Sequence, residues 1–243
     1  MIILALDTTA DLCSVALLRD DAISERSVDA GQAHSQWLLP MIERLLADEQ
    51  VALAQIDAIA FGAGPGSFTG LRIACGVAQG MGFALDRPLI PIGSLESVAL
   101  ASAAEKSIVC LDARMGQVYS AAFERGADGV LRTVSAPSVG APETVPLPRG
   151  SGWVGCGNGF SVHARALEAR LGAQVTVDAC GLTPTVPHAR QVALLAAVAY
   201  RAGAWLAPHL AAPRYVRDKV ALDAFEQAAL RRDDAARVAG DAR

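Results

Sequence analysis

Apolar and polar positions divide the chain into a regular succession of elements. Residues 1–7, MIILALD, form an apolar run closed by an acid, and residues 12–18, LCSVALL, form a second run after the polar turn TTAD, which together predict a β-hairpin. A third strand is predicted over 22–28. From 34 to 48 the period changes: Trp37, Leu38, Met41, Ile42, Leu45 and Leu46 recur three and four residues apart, as on one face of a helix. His34 or Ser35 begins it, and Pro40 removes one hydrogen bond and bends it. A strand over 56–61 runs through a glycine-rich loop into a helix over 69–85, and a strand over 88–92 and a helix over 94–104 complete the order β-β-β-α-β-α-β-α.

The opening then recurs. Residues 4–7, LALD, return as VCLD at 109–112, and LCSVALL is matched by QVYSAAF at 117–123, so each copy reads strand, acidic turn, strand. This predicts a duplicated α/β fold. Beyond it, proline and glycine interrupt residues 126–150, predicting loops and short edge strands. A strand over 152–156, a GNG turn at 157–159 and a helix near 161–171 follow, then a linker at 183–187. Val192, Leu195, Val198 or Ala199, Ala202 and Trp205 mark a last amphipathic helix, and the tail over 221–243 shows little periodicity and reads as frayed or disordered.

The loop at 62–72, GAGPGSFTGLR, carries the first candidate chemistry. A strand, a glycine loop and a helix N-terminus can hold phosphate through free N–H groups. Yet a Walker loop needs Lys and then Ser or Thr after its last glycine, and here Gly70 is followed by Leu71 and Arg72. A dinucleotide fingerprint would need glycine at Ser67 or Thr69. The loop therefore reads first as a stiff strand-to-helix junction with Ser67 or Thr69 as N-cap, and second as an anion site. In the following helix Gly70, Ala74, Ala78 and Gly82 recur every four residues, a stripe that implies close approach of another element.

Composition narrows the function classes. The hydrophobic fraction of 52% and charged fraction of 19% are those of a globular protein, and a net charge of −4 excludes a general basic footprint for nucleic acid. Five cysteines without a C-x-x-C pair read as reduced, mostly buried thiols. The N-terminus lacks a basic n-region and no segment has the length of a membrane span, so the expected location is cytoplasmic.

Asp7 and Asp112, at equivalent hairpin ends, are candidate carboxylates for a metal across a cleft, as in sugar-kinase-like and actin-like enzymes. Equally, each can simply make its turn by accepting local N–H bonds. No two of His34, His163, His188 and His209 have close ligand spacing, which argues against a metallopeptidase. His34 reads as a surface or capping group, Phe68 as a packing plug and Arg72 as the partner of a local carboxylate. Ser67 lacks the G-x-S-x-G setting of a nucleophile.

Seven stretches carry a family resemblance: ILALDTTADLCSVAL at 3–17, HSQWLLPMI at 34–42, FGAGPGSFTGLRIACGVAQG at 61–80, SLESVA at 94–99, LDARMGQVYSAAF at 111–123, GNG at 157–159 and PRYVR at 213–217. On these the chain resembles the TsaB (YeaZ-like) subunits of the bacterial tRNA threonylcarbamoyladenosine (t6A) machinery. The resemblance implies an actin-like, ribonuclease-H-like duplicated fold of two lobes, each a mixed sheet flanked by helices. Residues 1–104, completed by 189–218, would form the N-terminal lobe, 105–188 the smaller C-terminal lobe, and 219–243 a flexible tail.

It further implies a non-catalytic subunit that pairs with TsaD, the subunit that carries the metal and ATP-type site. TsaE would act through the complex and a TsaC-type adenylate synthase functionally, with tRNA reached only through the complex and a homodimer formed in TsaD's absence. No cofactor is expected on this subunit. The pairing surface would involve the first two helices, with Trp37, Leu38, Met41, Ile42, Leu45, Gly70, Ile73, Ala74, Val77, Ala78 and Met81 as contacts. Asp7, Thr8, Ser67, Thr69, Arg72 and Asp112 remain candidates for an anion or nucleotide. The alternatives are an ATP-binding phosphotransferase of the same fold and a metallopeptidase.

Overall fold

The computed structural model describes residues 1–177 and 185–217. Strands β1 (Ile2–Asp7), β2 (Leu12–Arg19) and β3 (Ala22–Asp29) lead to α1 (His34–Asp48), β4 (Ala58–Gly64), α2 (Phe68–Leu85), β5 (Leu89–Gly93) and α3 (Ser94–Ala101). The five strands form a sheet in the order β3-β2-β1-β4-β5, antiparallel across β1, β2 and β3 and parallel from β1 through β4 to β5. Next come β6 (Lys106–Asp112), β7 (Val118–Arg125), β8 (Leu131–Gly140), β9 (Trp153–Cys156), α4 (Gly159–Val162), α5 (Ala164–Leu171) and β10 (Val175–Val177), followed by α6 (Ala189–Arg201). Their sheet has the order β10-β9-β6-β7-β8.

The two sheets repeat one topology. β1 pairs antiparallel with β2 and parallel with β4, and β6 pairs antiparallel with β7 and parallel with β9. The sequence repeat is thus a repeat of central strands, and the architecture is the duplicated, actin-like one.

A central strand buried on both faces sends alternate side chains to two different cores. Leu4 and Leu6 of β1 meet Leu38, Met41, Ile42 and Leu45 of α1 and Ala74 and Ala78 of α2, while Ile3 and Ala5 meet Ala189, Val192, Ala193 and Ala196 of α6. In the second sheet Ile108 and Cys110 join Phe160 and Leu167 of α4 and α5, and Val109 and Leu111 join Leu95 and Val98 of α3. Each fully buried Leu or Ile contributes about 1.5–3 kcal/mol relative to exposure, which makes these four layers the main source of stability.

Helix ends follow local chemistry. The Ser67 hydroxyl caps α2 by accepting the Gly70 N–H at 3.2 Å, and α2 stops at Asp86, which takes the left-handed conformation (φ 52°). α6 is capped from a distance, since Ala189 N–H donates to the Ser14 hydroxyl of β2 at 2.9 Å.

Several expectations change. The Pro- and Gly-interrupted stretch contains the ten-residue edge strand β8, which tolerates Pro137 because it pairs only with β7, through an irregular register between Ser120 and Phe123. The helix read near 161–171 is two, broken at His163, and β10 adds a three-residue strand that carries no sequence signal. α3 ends at Ala101, before the expected 104. α6 ends at Arg201, so Trp205 lies beyond it, next to Leu206, which bridges the β5 edge at Leu89.

Cys13, Cys75, Cys110 and Cys156 are buried. Cys180, part of the linker and the tail over 221–243 lie outside the described residues. Among the described residues no helix is long and apolar enough to cross a membrane.

Candidate functional site

The β1–β2 turn, the glycine loop, the β6–β7 turn and residues 213–217 converge on a cleft of about 610 Å3 between the two sheets, lined by Thr9, Asp11, Ser67, Thr69, Asp112 and Arg114 among others. The glycine loop is drawn onto the β1–β2 turn. Ser67 N–H donates to the Thr9 carbonyl at 2.7 Å, and the Thr8 hydroxyl donates to the Gly70 carbonyl at 2.6 Å. The glycines are required by this contact: a Cβ at Gly66 would overlap the Thr9 carbonyl, and one at Gly70 the Thr8 carbonyl. An N–H group that a phosphate loop would offer to its ligand is therefore spent within the chain.

Asp7 lies under that junction, fully buried. Its Oδ1 accepts from Thr9 N–H at 2.9 Å and from the Thr9 hydroxyl at 2.8 Å, while Oδ2 has no hydrogen-bond partner among the described residues and lies where a Gly62 side chain would be. Burial pushes its pKa up to about 6, against the lowering effect of the Thr9 bonds.

Asp112 makes the equivalent turn, with Oδ1 accepting from Arg114 N–H at 3.1 Å. Both aspartates thus do what turn chemistry asks of them. Asp112 differs in reaching the cleft: its Oδ1 is 3.1 Å from His163 Nε2, its Oδ2 is 3.5 Å from Arg114, and Arg114 also reaches Asp11 of the other lobe at 3.3 Å.

Of the residues expected to contact an anion, Ser67, Thr69 and Asp112 line the cleft, and Arg72 stands beside it. Asp7 and Thr8 do not, because both are completely buried beneath the loop, which corrects that part of the expectation.

Three further readings are overturned. Phe68 is no packing plug: it is 39% exposed, with the Arg72 guanidinium 3.5 Å above its ring. Arg72 pairs with no carboxylate among the described residues and donates instead to the Tyr215 hydroxyl at 3.1 Å. His34 is buried rather than on the surface, and burial lowers its pKa.

The cleft also recruits Asn158, His163, Tyr215 and Arg217. Asn158 Oδ1 accepts from Asp112 N–H at 2.9 Å, while Arg217 donates to the Ala113 carbonyl at 3.0 Å and to Gln117 Oε1 at 2.7 Å. Only the GNG and PRYVR stretches signalled Asn158, Tyr215 and Arg217, and nothing in the sequence marked His163. Among the described residues no three His, Cys, Asp or Glu side chains gather as a metal site.

The first two helices lie side by side on one face of the first sheet. Leu38, Met41, Ile42, Leu45, Gly70, Ala74 and Ala78, expected as partner contacts, are buried within the chain, because the sheet itself takes up the apolar face and the stripe of small residues. Trp37 is exposed, and Ile73, Val77 and Met81 are half-buried. The outer side of α2 instead presents Gly76, Gly80, Phe83 and Ala84, with Phe83 62% exposed and no atom within 4 Å of a Cβ built at either glycine.

Known proteins with these features are consistent with one another. The sequence pattern of the family described as TsaD, tRNA N6-adenosine threonylcarbamoyltransferase, matches residues 28–225. The tRNA threonylcarbamoyladenosine biosynthesis protein TsaB of Escherichia coli K12 is 32% identical over 228 residues, which span 91% of this chain and 96% of that protein. The TsaB protein of Haemophilus influenzae is 46% identical over 121 residues, and that match spans only 48% of this chain and 51% of the relative. A solved structure described as YeaZ from Pseudomonas aeruginosa superimposes with a TM-score of 0.79 at 37% identity, covering 88% of this chain and 99% of that one. A second, described as an uncharacterized Pseudomonas aeruginosa protein similar to peptidase YeaZ, gives a TM-score of 0.80 at 35% identity, with coverage of 89% and 99%. With 32% identity to one TsaB protein over nearly the whole of both chains and the same fold as YeaZ, this chain belongs to the TsaB (YeaZ-like) family of tRNA threonylcarbamoyladenosine biosynthesis proteins.

Proposed function

We propose that this chain is a non-catalytic subunit of a t6A-forming assembly, pairing with a TsaD-type threonylcarbamoyltransferase and supporting transfer of threonylcarbamoyl to N6 of the adenosine beside the tRNA anticodon. The observation that carries this reading is the contact of Gly70 with the Thr8 carbonyl. It fills, with the chain's own backbone, the approach that a nucleotide phosphate needs at the first turn. An ATP-dependent phosphotransferase is not favoured, since Asp7 and Thr8 are buried away from the cleft.

The docking surface in this reading is the outer side of α1 and α2. Gly76 and Gly80 let a partner helix approach closely, and Trp37, Phe83 and the edges of Ile73 and Val77 supply apolar area. In the absence of TsaD the same surface pairs two copies of this chain. ATP and metal chemistry belong to the partners, TsaE contributing ATPase activity and a TsaC-type synthase supplying the threonylcarbamoyl adenylate. The assembly works in the cytoplasm.

The test is a modification assay on unmodified tRNA with TsaD, TsaE and a TsaC-type synthase, with and without this chain, alongside co-elution of the chain with TsaD. Modification that depends on the chain, and no turnover by the chain alone, is the expected result. Full modification without it, or a magnesium-dependent phosphoryl transfer by the chain alone that Asp7→Asn abolishes, overturns the reading.

A further inference from the structure

Beside the cleft lies a cluster of aromatic rings and arginines. The Arg72 guanidinium is 3.5 Å from the centroid of Phe68 and bonded to the Tyr215 hydroxyl, and the Phe68 and Tyr215 rings are 5.7 Å apart at an interplanar angle of 38°. Both rings are open to solvent, 39% and 46% exposed. Across the cleft mouth Arg217 lies over Tyr119, its hydrogen bonds going to the Ala113 carbonyl, to the Gln117 amide oxygen and to the Met115 sulfur. Among the described residues neither Arg72 nor Arg217 pairs with a carboxylate. Their charges, held in place by rings and neutral atoms, remain available to an anion from outside, in a chain whose net charge is −4.

Aromatic faces interleaved with arginines along a groove match the chemistry of an unpaired nucleic acid strand: bases stack on the rings or on the guanidinium plane, and phosphates meet the arginines. A-form duplex RNA offers no free base faces to such a platform. Resting on the reading of the chain as a t6A subunit, we infer that the cleft mouth formed by Phe68, Arg72, Tyr215, Tyr119 and Arg217 binds a single-stranded segment of RNA directly, so that this subunit touches the RNA substrate itself. Thr69, exposed on the first turn of α2, stands next to Phe68 as a further hydrogen-bond donor to that strand.

The experiment is fluorescence anisotropy of a labelled RNA stem-loop, titrated with the full chain alone and with the chain bound to TsaD, at about 50 mM and about 200 mM salt. Blunt duplex RNA and ATP serve as competitors. The variants are Phe68→Ser with Arg72→Gln, and Tyr215→Ser. All three positions are exposed, and thermal melts report whether each variant stays folded. Arg132→Gln, at an exposed position of β8 away from the proposed docking surface, is the control.

Loop RNA should bind with a salt-dependent affinity that falls about tenfold or more when a stacking ring is lost. The log–log salt slope should drop by about 0.7 for each phosphate contact removed. Retention of TsaD co-elution together with loss of RNA supports the inference and separates it from the pairing reading. Several results overturn it: no RNA binding by wild type, equal binding by the variants and Arg132→Gln, full competition by ATP or duplex, or loss of TsaD pairing together with RNA in folded variants.

Discussion

Gly76 and Gly80 offer a measurement in which folding and docking move in opposite directions. Both sit inside the eighteen-residue α2, and a Cβ built at either meets no atom within 4 Å. Glycine inside an exposed helix is about 0.5–1 kcal/mol less favourable than alanine, so Gly76→Ala with Gly80→Ala should stabilise the free chain by about 1–2 kcal/mol. At this chain length each kcal/mol corresponds to roughly 2–4 °C, giving a melting temperature raised by roughly 2–8 °C. The same methyl groups project where a partner helix is proposed to lie. Replacing both glycines with leucine adds volume at a close contact and should weaken pairing by about 1–3 kcal/mol, or roughly five- to 150-fold in Kd, while the free chain stays folded. Circular dichroism melts and titration calorimetry against TsaD read the two effects separately. Destabilisation by the alanine pair would refute the open space around these glycines. Unchanged TsaD and self-association in the leucine pair would remove this face as the docking surface.

Three further outcomes follow from the buried junction. Asp7 holds its proton more tightly folded than unfolded, so its own contribution to stability should fall as pH rises from about 4 to about 6 and then level off, by about 3 kcal/mol; the stability change between pH 4 and pH 7, read from urea midpoints, should be more favourable in Asp7→Asn than in the wild type, and the same change in both contradicts the assignment. Gly70→Ala drives a methyl into the Thr8 carbonyl, and because backbone cannot yield as a side-chain tip can, a loss of more than about 2 kcal/mol is expected in denaturant unfolding. Ala78→Leu overpacks the layer beneath β1 and β4, so it should lower the melting temperature of the isolated chain whether or not a partner is present; unchanged stability would place Ala78 on the surface after all.

Strand and helix patterns carried most of the architecture because both lobes are built around central strands whose apolar runs end in a turn-making aspartate. The nearly continuous apolar runs of β1, β2, β6 and β7 and the change to a helical period at Trp37 are readable one element at a time. For β8 only short edge strands are legible, not one of ten residues: it is an exposed edge strand with Pro137 and many polar residues, and its length comes from pairing with β7 instead of from its own pattern. The break at His163 and the three-residue β10 likewise depend on tertiary neighbours.

At the candidate site the turn chemistry of Asp7 and Asp112 and the capping by Ser67 were legible, since each is local. Long-range partners such as Arg72 with Tyr215 were not. The direction of the helix faces was read wrongly for a physical reason: an apolar stripe packed on the chain's own sheet and one packed on another chain have the same composition. The outward side of α2 is marked by glycines that stand off the apolar stripe, Gly76 and Gly80, a weaker signal than the stripe itself.

The placement of α6 reaches beyond the folded molecule. The second face of the first sheet, lined by Ile3, Ala5, Ala16 and Ile90, is covered by Ala189, Val192, Ala193 and Ala196. Those residues are translated about 100 positions after β5, the last strand of that sheet. Until they emerge from the ribosome, the early half of the chain exposes an apolar surface and cannot complete its own core, while the second sheet's hairpins can already close. A nascent chain stalled before residue 189 should accordingly be a chaperone client, and the N-terminal sheet, first to be made, should be among the last parts to become protected from exchange.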